Sequence, residues 1–261
     1  MELDDAYAIA AHTPNAEAVL SGIVEQSKIF RAACGERAHL GLVYGDTPRQ
    51  AFDLFLPPEE PKGTMIFVHG GYWYSQIRSN FSHLAAGALA RGWAVAMPSY
   101  DLCPDVTIAD ITRQVAQAVI AVADRTSGPI SITGHSAGGH LAARMLDRGL
   151  IPESVGARLT TVVPISPLSD LRPFLRTTMN NDFKMDEQAA IAESPIMMTN
   201  RYTAPVSVWV GADERPALVD QARWLSAAWG CDLEIVPDRH HFDVIDLLTD
   251  PDSDMVRLLT A

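Results

Sequence analysis

Apolar positions along this chain follow two alternating spacings. Short strand-like apolar runs at 51–56, 64–69, 93–97, 130–133, 160–165, 206–210 and 233–236 predict strands. Between them apolar residues recur three and four apart. Phe81, Leu84, Ala85, Ala88 and Leu89 form one such series, and Ile108, Ile111, Val115, Val119 and Val122 another. Both predict helices that bury one face. Residues 136–147 and the series Leu218, Ala222, Leu225 and Trp229 read as two more. Runs such as 65–68 and 207–210 are apolar at nearly every position, as expected where helices cover both faces of a sheet. Strand and helix in alternation imply an α/β fold with a mostly parallel central sheet and helices on both faces. Ligands of such folds bind beyond the carboxyl ends of the strands.

Two stretches break the alternation. Residues 1–42 carry a helical pattern over 16–33 before the first predicted strand, and residues 168–202 are irregular, with Pro173 and Pro195. Both read as segments of a small cap over the active edge of the sheet. No linker or internal repeat divides the 261 residues, so a single domain is expected.

The predicted strand at 130–133 runs into Gly134-His135-Ser136-Ala137-Gly138, a G-x-S-x-G turn followed by a helical pattern. A serine hydroxyl is a poor nucleophile and must be presented on a sharp turn within reach of a base. The helix that follows aims its first N–H groups at developing negative charge. A second turn, His69-Gly70-Gly71-Tyr72-Trp73, follows the strand at 64–69. Its glycines can turn peptide N–H groups inward to receive an oxyanion, so Gly70, Gly71, Tyr72 and Ala137 are the candidate donors. Tyr72 and Trp73, with Tyr74 beside them, suggest a flat wall for an aromatic substrate. Asp213 follows the strand at 206–210 and is the candidate acid; Asp170 and Asp238 fit ordinary turn carboxylates better. The candidate base is His240 or His241, after the last strand. Serine, then acid, then histidine is the chain order of α/β-hydrolases.

Composition narrows the alternatives. Twenty Lys and Arg against 32 Asp and Glu give a net charge of −12, which argues against nucleic acid or an anionic membrane as a partner. Three widely spaced cysteines make neither a disulfide framework nor a zinc site. No histidine spacing suits a metal, and the glycines match neither a dinucleotide fingerprint nor a P-loop, so no metal and no cofactor are expected. His12, His39 and His83 read as surface or helix positions; His69, His135 and His140 read as residues that orient loops around the site. The acidic start shows no signal-peptide pattern and no apolar run is long enough to span a bilayer, so a cytoplasmic protein acting on a small molecule is expected, with room for a homodimer.

With these residues assembled, the chain resembles the kynurenine formamidase (arylformamidase) family of α/β-hydrolases, which neighbours the hormone-sensitive-lipase-like esterases. The matching stretches are VYGDTPRQAFDLFLP at 43–57, FVHGGYW at 67–73, YDLCP at 100–104, ITGHSAGGHLAARML at 132–146, ISPLSDL at 165–171 and HFDVI at 241–245. Residues 1–42 and 172–202 depart most from the family pattern. The resemblance implies the α/β-hydrolase fold and a triad of Ser136, Asp213 and His241, the base being the histidine directly before phenylalanine. It also implies deformylation of N-formyl-L-kynurenine to L-kynurenine and formate through a formyl-enzyme, with a short acyl pocket. A carboxylesterase or thioesterase for another small acyl substrate shares the same machinery, and a noncatalytic binding protein would be expected to lack a triad member.

Overall fold

The alternating pattern folds into one sheet of eight strands in a computed structural model that describes residues 1–261. The strands are β1 (Ala38–Val43), β2 (Ala51–Phe55), β3 (Thr64–Val68), β4 (Ala94–Pro98), β5 (Ile130–His135), β6 (Leu159–Ile165), β7 (Ser207–Gly211) and β8 (Asp232–Val236). Their spatial order is β1-β2-β4-β3-β5-β6-β7-β8. β1 pairs antiparallel with β2, and β2 with β4; all other neighbours are parallel. Seven of the strands lie where the apolar runs predict them. β1 is the exception, and the reason is physical: it is an edge strand, mostly exposed, with a register shift between His39 and Leu42. No burial pattern was imposed on its sequence. Its irregular middle is pinned instead by Asp53, whose Oδ1 accepts from Gly41 N–H at 2.8 Å and from Arg78 Nε at 2.8 Å.

Side chains of the central strands point alternately to the two faces. Ile66, Val68, Ala94, Ala96, Ile130 and Ile132 enter one apolar layer. Met65, Phe67, Val95 and Met97 enter the layer on the opposite face. The helices Ile108–Ala123 and Ala137–Arg144 cover the first layer, while the second receives Phe81, Leu84, Ala85, Ala88 and Leu89. That last series is not one helix: a 3-10 stretch, Arg78–Ala85, precedes a short α-helix, Ala86–Ala90, although the apolar positions stay buried. The helix Ile108–Ala123 starts on a capping box, in which Thr107 and Asp110 satisfy each other's backbone N–H groups. No helix is long and apolar enough to cross a membrane.

The carboxyl ends of β3, β5, β7 and β8 deliver the turns that carry the candidate chemistry to one edge of the sheet. The N-terminal segment comes back over this edge. Leu3 N–H donates to Arg176 O at 3.2 Å, and the Tyr72 hydroxyl donates to Tyr7 O at 2.8 Å. Tyr7 and Ile9 are buried in the first apolar layer, Tyr7 against Phe174.

Three histidines behave as core residues. His140 accepts from Trp73 Nε1 through Nδ1 at 3.3 Å and donates through Nε2 to Glu193 O at 2.8 Å, a pattern that only the neutral ring can make. His69 is stacked on Tyr100, and His83 is buried against Ser27 rather than lying at the surface. Burial pushes the His69 and His140 rings down to about 3 and His83 down to about 4. Between those values and the ordinary histidine range near ~6.5, only the unfolded chain takes up these protons. Stability from these rings is therefore complete above that range and is lost as the pH falls through it. Urea midpoints should drop between about pH 7.5 and about pH 5, and more shallowly in His83→Gln; a flat or rising midpoint would contradict the burial of neutral rings.

Candidate active site

Ser136 sits between β5 and the helix Ala137–Arg144 with φ 59° and ψ −120°, a conformation that an L-residue avoids. Its N–H donates to Ile165 O at 2.9 Å, and its carbonyl accepts from His140 N–H at 3.0 Å. The turn closes because two neighbours lack side chains. A Cβ on Gly138 would stand 2.0 Å from Val68 O, and one on Gly134 would stand 2.2 Å from Gly138 O. Gly70 presses on the same turn from β3, where a Cβ would meet His135 O at 2.7 Å.

The turn after β3 is also strained, with positive φ at Gly71 (109°), Tyr72 (49°) and Trp73 (56°). The Gly71 carbonyl is taken by the N–H groups of Tyr74 and Ser75, whereas the N–H groups of Gly70, Gly71 and Tyr72 donate to no protein acceptor. Ala137 opens its helix, so its N–H is one of the orphan donors of a helix start. These are the four positions the sequence marks as oxyanion donors.

The candidate base follows β8. His241 is buried at 3% exposure, and its Nδ1 lies 2.6 Å from Glu214 Oε2. A carboxylate only accepts, so Nδ1 carries the proton and Nε2 is left as the basic nitrogen. His240 is turned away, and its Nδ1 accepts from Phe242 N–H at 3.2 Å. The His135 ring packs 4.3 Å from that of His241, and burial holds it well below the usual histidine range, so it adds no charge beside the base.

The carboxylate that meets His241 differs from the sequence expectation. Asp213 is exposed, and only its backbone is engaged, through N–H to Arg239 O at 2.9 Å. Glu214, the next residue, turns back under the end of β7 with a fully buried side chain. Its Oε1 accepts from Gly211 N–H at 2.8 Å and from the Ser166 hydroxyl, leaving Oε2 for His241. The extra methylene of glutamate lets a residue one step further along the turn reach the imidazole. The adjacent Asp213-Glu214 pair was the signal, since either acid can serve in this position. Asp170 is bound to Arg172, and Asp238 lies in the turn after β8.

Ser136, His241, Gly70, Gly71 and Tyr72 line one cavity of about 430 Å³. Ser136 and His241 make no hydrogen bond to each other, though both face this space. Tyr72 and Tyr74 form part of its wall, with rings stacked 6.2 Å apart. Trp73 does not. It is fully buried, edge-on to His140, Phe174 and Phe183, and so belongs to the core beneath the wall rather than to substrate binding. Both irregular segments of the sequence reach the cavity: Tyr7, Ile9, Leu20 and Ile23 from the first, Thr178 and Met179 from the second.

Comparison with known proteins places this geometry. The model of the BD-FAE family matches residues 52–227. The kynurenine formamidase of Salmo salar is 28% identical over 84% of this chain and 80% of its own length. That of Drosophila melanogaster is 27% identical over 84% and 79%. A solved protein from Silicibacter sp., provisionally described as a thioesterase, is 57% identical over the whole of both chains, with a TM-score of 0.99. An esterase of Pyrobaculum calidifontis shares the fold at 19% identity, with a TM-score of 0.68 over 94% of this chain and 92% of its own. The mostly parallel sheet, the strained serine turn and the matched span together show that the chain belongs to the BD-FAE family and has the α/β-hydrolase fold.

Proposed function

We propose that the chain is a serine hydrolase that cleaves a small acyl group from an aryl amine or alcohol, with N-formyl-L-kynurenine as the leading substrate. The observation that carries the reading is the buried Glu214–His241 hydrogen bond of 2.6 Å, made beside a strained serine and facing unengaged backbone N–H groups. In this reading Ser136 attacks the acyl carbon while His241 Nε2 takes its proton. The N–H groups of Gly71, Tyr72 and Ala137 receive the oxyanion, a contribution of about 3 kcal/mol per donor. His241 then protonates the departing aniline nitrogen, and water releases formate from the formyl-enzyme with His241 as base. Glu214 holds the imidazole in the required tautomer and stabilises it when it is charged. The serine–histidine contact in such sites is commonly long until substrate is bound.

The formamidase reading takes its support from the curated relatives, which are kynurenine formamidases over most of the chain. An esterase or thioesterase reading is favoured by a different observation: the cavity carries aliphatic side chains at Leu20, Ile23 and Ile245, a surface suited to an alkyl acyl chain. Rates on formyl, acetyl and butyryl aryl substrates separate the two. Formamidase activity predicts a fall with acyl size, and a rise from formyl to butyryl assigns the aliphatic end to the acyl chain.

Two variants test the machinery. Ser136→Ala should lose roughly three to six powers of ten in kcat with folding retained. Glu214→Gln should lose about two to four powers of ten, whereas Asp213→Asn should stay within about twofold of the parent. Steady-state kinetics with matched circular dichroism checks both, and a larger loss at Asp213 than at Glu214 would overturn the assignment.

A further inference from the structure

The cavity is unusual in its charge. No lysine or arginine lines it, although the chain has 20 of them. The one carboxylate in its wall is Asp4, which is held by Thr178 N–H at 2.6 Å and paired with the amino group of Met1. Two arginines close to it, Arg176 two residues from Thr178 of the wall and Arg215 in an adjoining cavity with Ile9 and His241, are paired by the same N-terminal segment. Arg176 is bound to Glu2, with Nε 2.8 Å from Oε2, and Arg215 to Asp5, with Nη2 2.7 Å from Oδ2. The segment thus brings one carboxylate into the wall, paired there with the Met1 amino group, and its neighbouring acids pair both arginines. The rest of the wall is mostly apolar or tyrosyl with a few neutral polar groups, Ser75, Gln76 and Thr178 among them, a surface that suits a neutral aromatic or an ammonium over a ring face and offers a buried carboxylate no cationic side chain.

We propose that this cavity admits acyl substrates whose enclosed part is uncharged or cationic, and excludes those that would bring a carboxylate into it. The inference rests on the serine-hydrolase reading of Ser136 but not on the acyl group being formyl. It makes Glu2, Asp4 and Asp5 specificity-determining residues that act through charge, without touching the reacting atoms. A zwitterionic substrate such as N-formyl-L-kynurenine is accommodated only with its carboxylate left outside the mouth.

The test uses two matched pairs. One is meta-formamidobenzamide against meta-formamidobenzoate, the other meta-acetoxybenzamide against meta-acetoxybenzoate. In each pair only the charge changes. The neutral member should exceed the anion by ~30-fold or more in kcat/KM. Where turnover is slow, protection of Ser136 against an alkyl fluorophosphonate gives the same order. Asp4→Asn should narrow the gap. The double variant Glu2→Gln, Asp5→Asn frees both arginines and should raise the rate on the anion by about tenfold while the neutral member stays within about twofold. A gap confined to the acetoxy pair, with neither formamide cleaved, upholds the charge selection and removes the formamidase reading. Agreement of neutral and anionic members within about threefold in both pairs overturns the proposal, as does a double variant that raises both members equally.

Discussion

Everything at this site depends on keeping Ser136 in a backbone conformation that costs of order 1–3 kcal/mol. The fold meets that cost with contacts closer than side chains permit. β3 and β5 run side by side, and the helix behind the serine lies so near them that Gly134 and Gly138 have no room for a Cβ. Gly70 approaches the same turn from the neighbouring strand. The serine, the turn after β3 and the helix start are therefore packed against one another backbone to backbone. Strain stored there can persist because β3 and β5, buried at every position, hold it between two apolar layers.

The second requirement is a carboxylate in a dry place. A buried ionised group is tolerated only when its lone pairs are met, and losing one partner is far more costly than never having had the pair. Glu214 is met by a strand-end N–H, a serine hydroxyl and the imidazole, and it has no solvent contact. Its geometry is thus dictated by the end of β7 rather than by a flexible side chain, and the imidazole inherits that order. His135 packs against the same ring while staying neutral, which restrains it without placing a charge beside it.

Most of this was legible in the chain, and the exceptions have physical causes. Buried strands reveal themselves because both their faces are apolar; β1 does not, since an exposed edge leaves little mark on sequence. The serine turn and the glycines after β3 could be read because their spacing follows from steric need. The acid could not be placed to the residue. Asp213 and Glu214 are adjacent carboxylates, and the path of the turn after Gly211 together with side-chain length decides which meets the imidazole. Trp73 was misplaced for a similar reason. It stands in a run of three aromatics, and a left-handed turn at Tyr72 and Trp73 sends the tryptophan into the core while its neighbours line the cavity. The role of the first dozen residues was the least visible of all, because their acids find partners at Arg176 and Arg215, far away in sequence.

The central claim is that one nucleophile, one acid-oriented imidazole and one set of backbone donors meet in a single cavity. A crystal structure of the chain after reaction with a small alkyl fluorophosphonate tests this directly. The account predicts a phosphorus–oxygen bond at Ser136 and a phosphoryl oxygen within hydrogen-bonding distance of the Gly71 or Tyr72 N–H and that of Ala137. It also predicts that His241 keeps its bond to Glu214. An adduct on another residue, or a phosphoryl oxygen directed to solvent with His241 swung to Asp213, would contradict it.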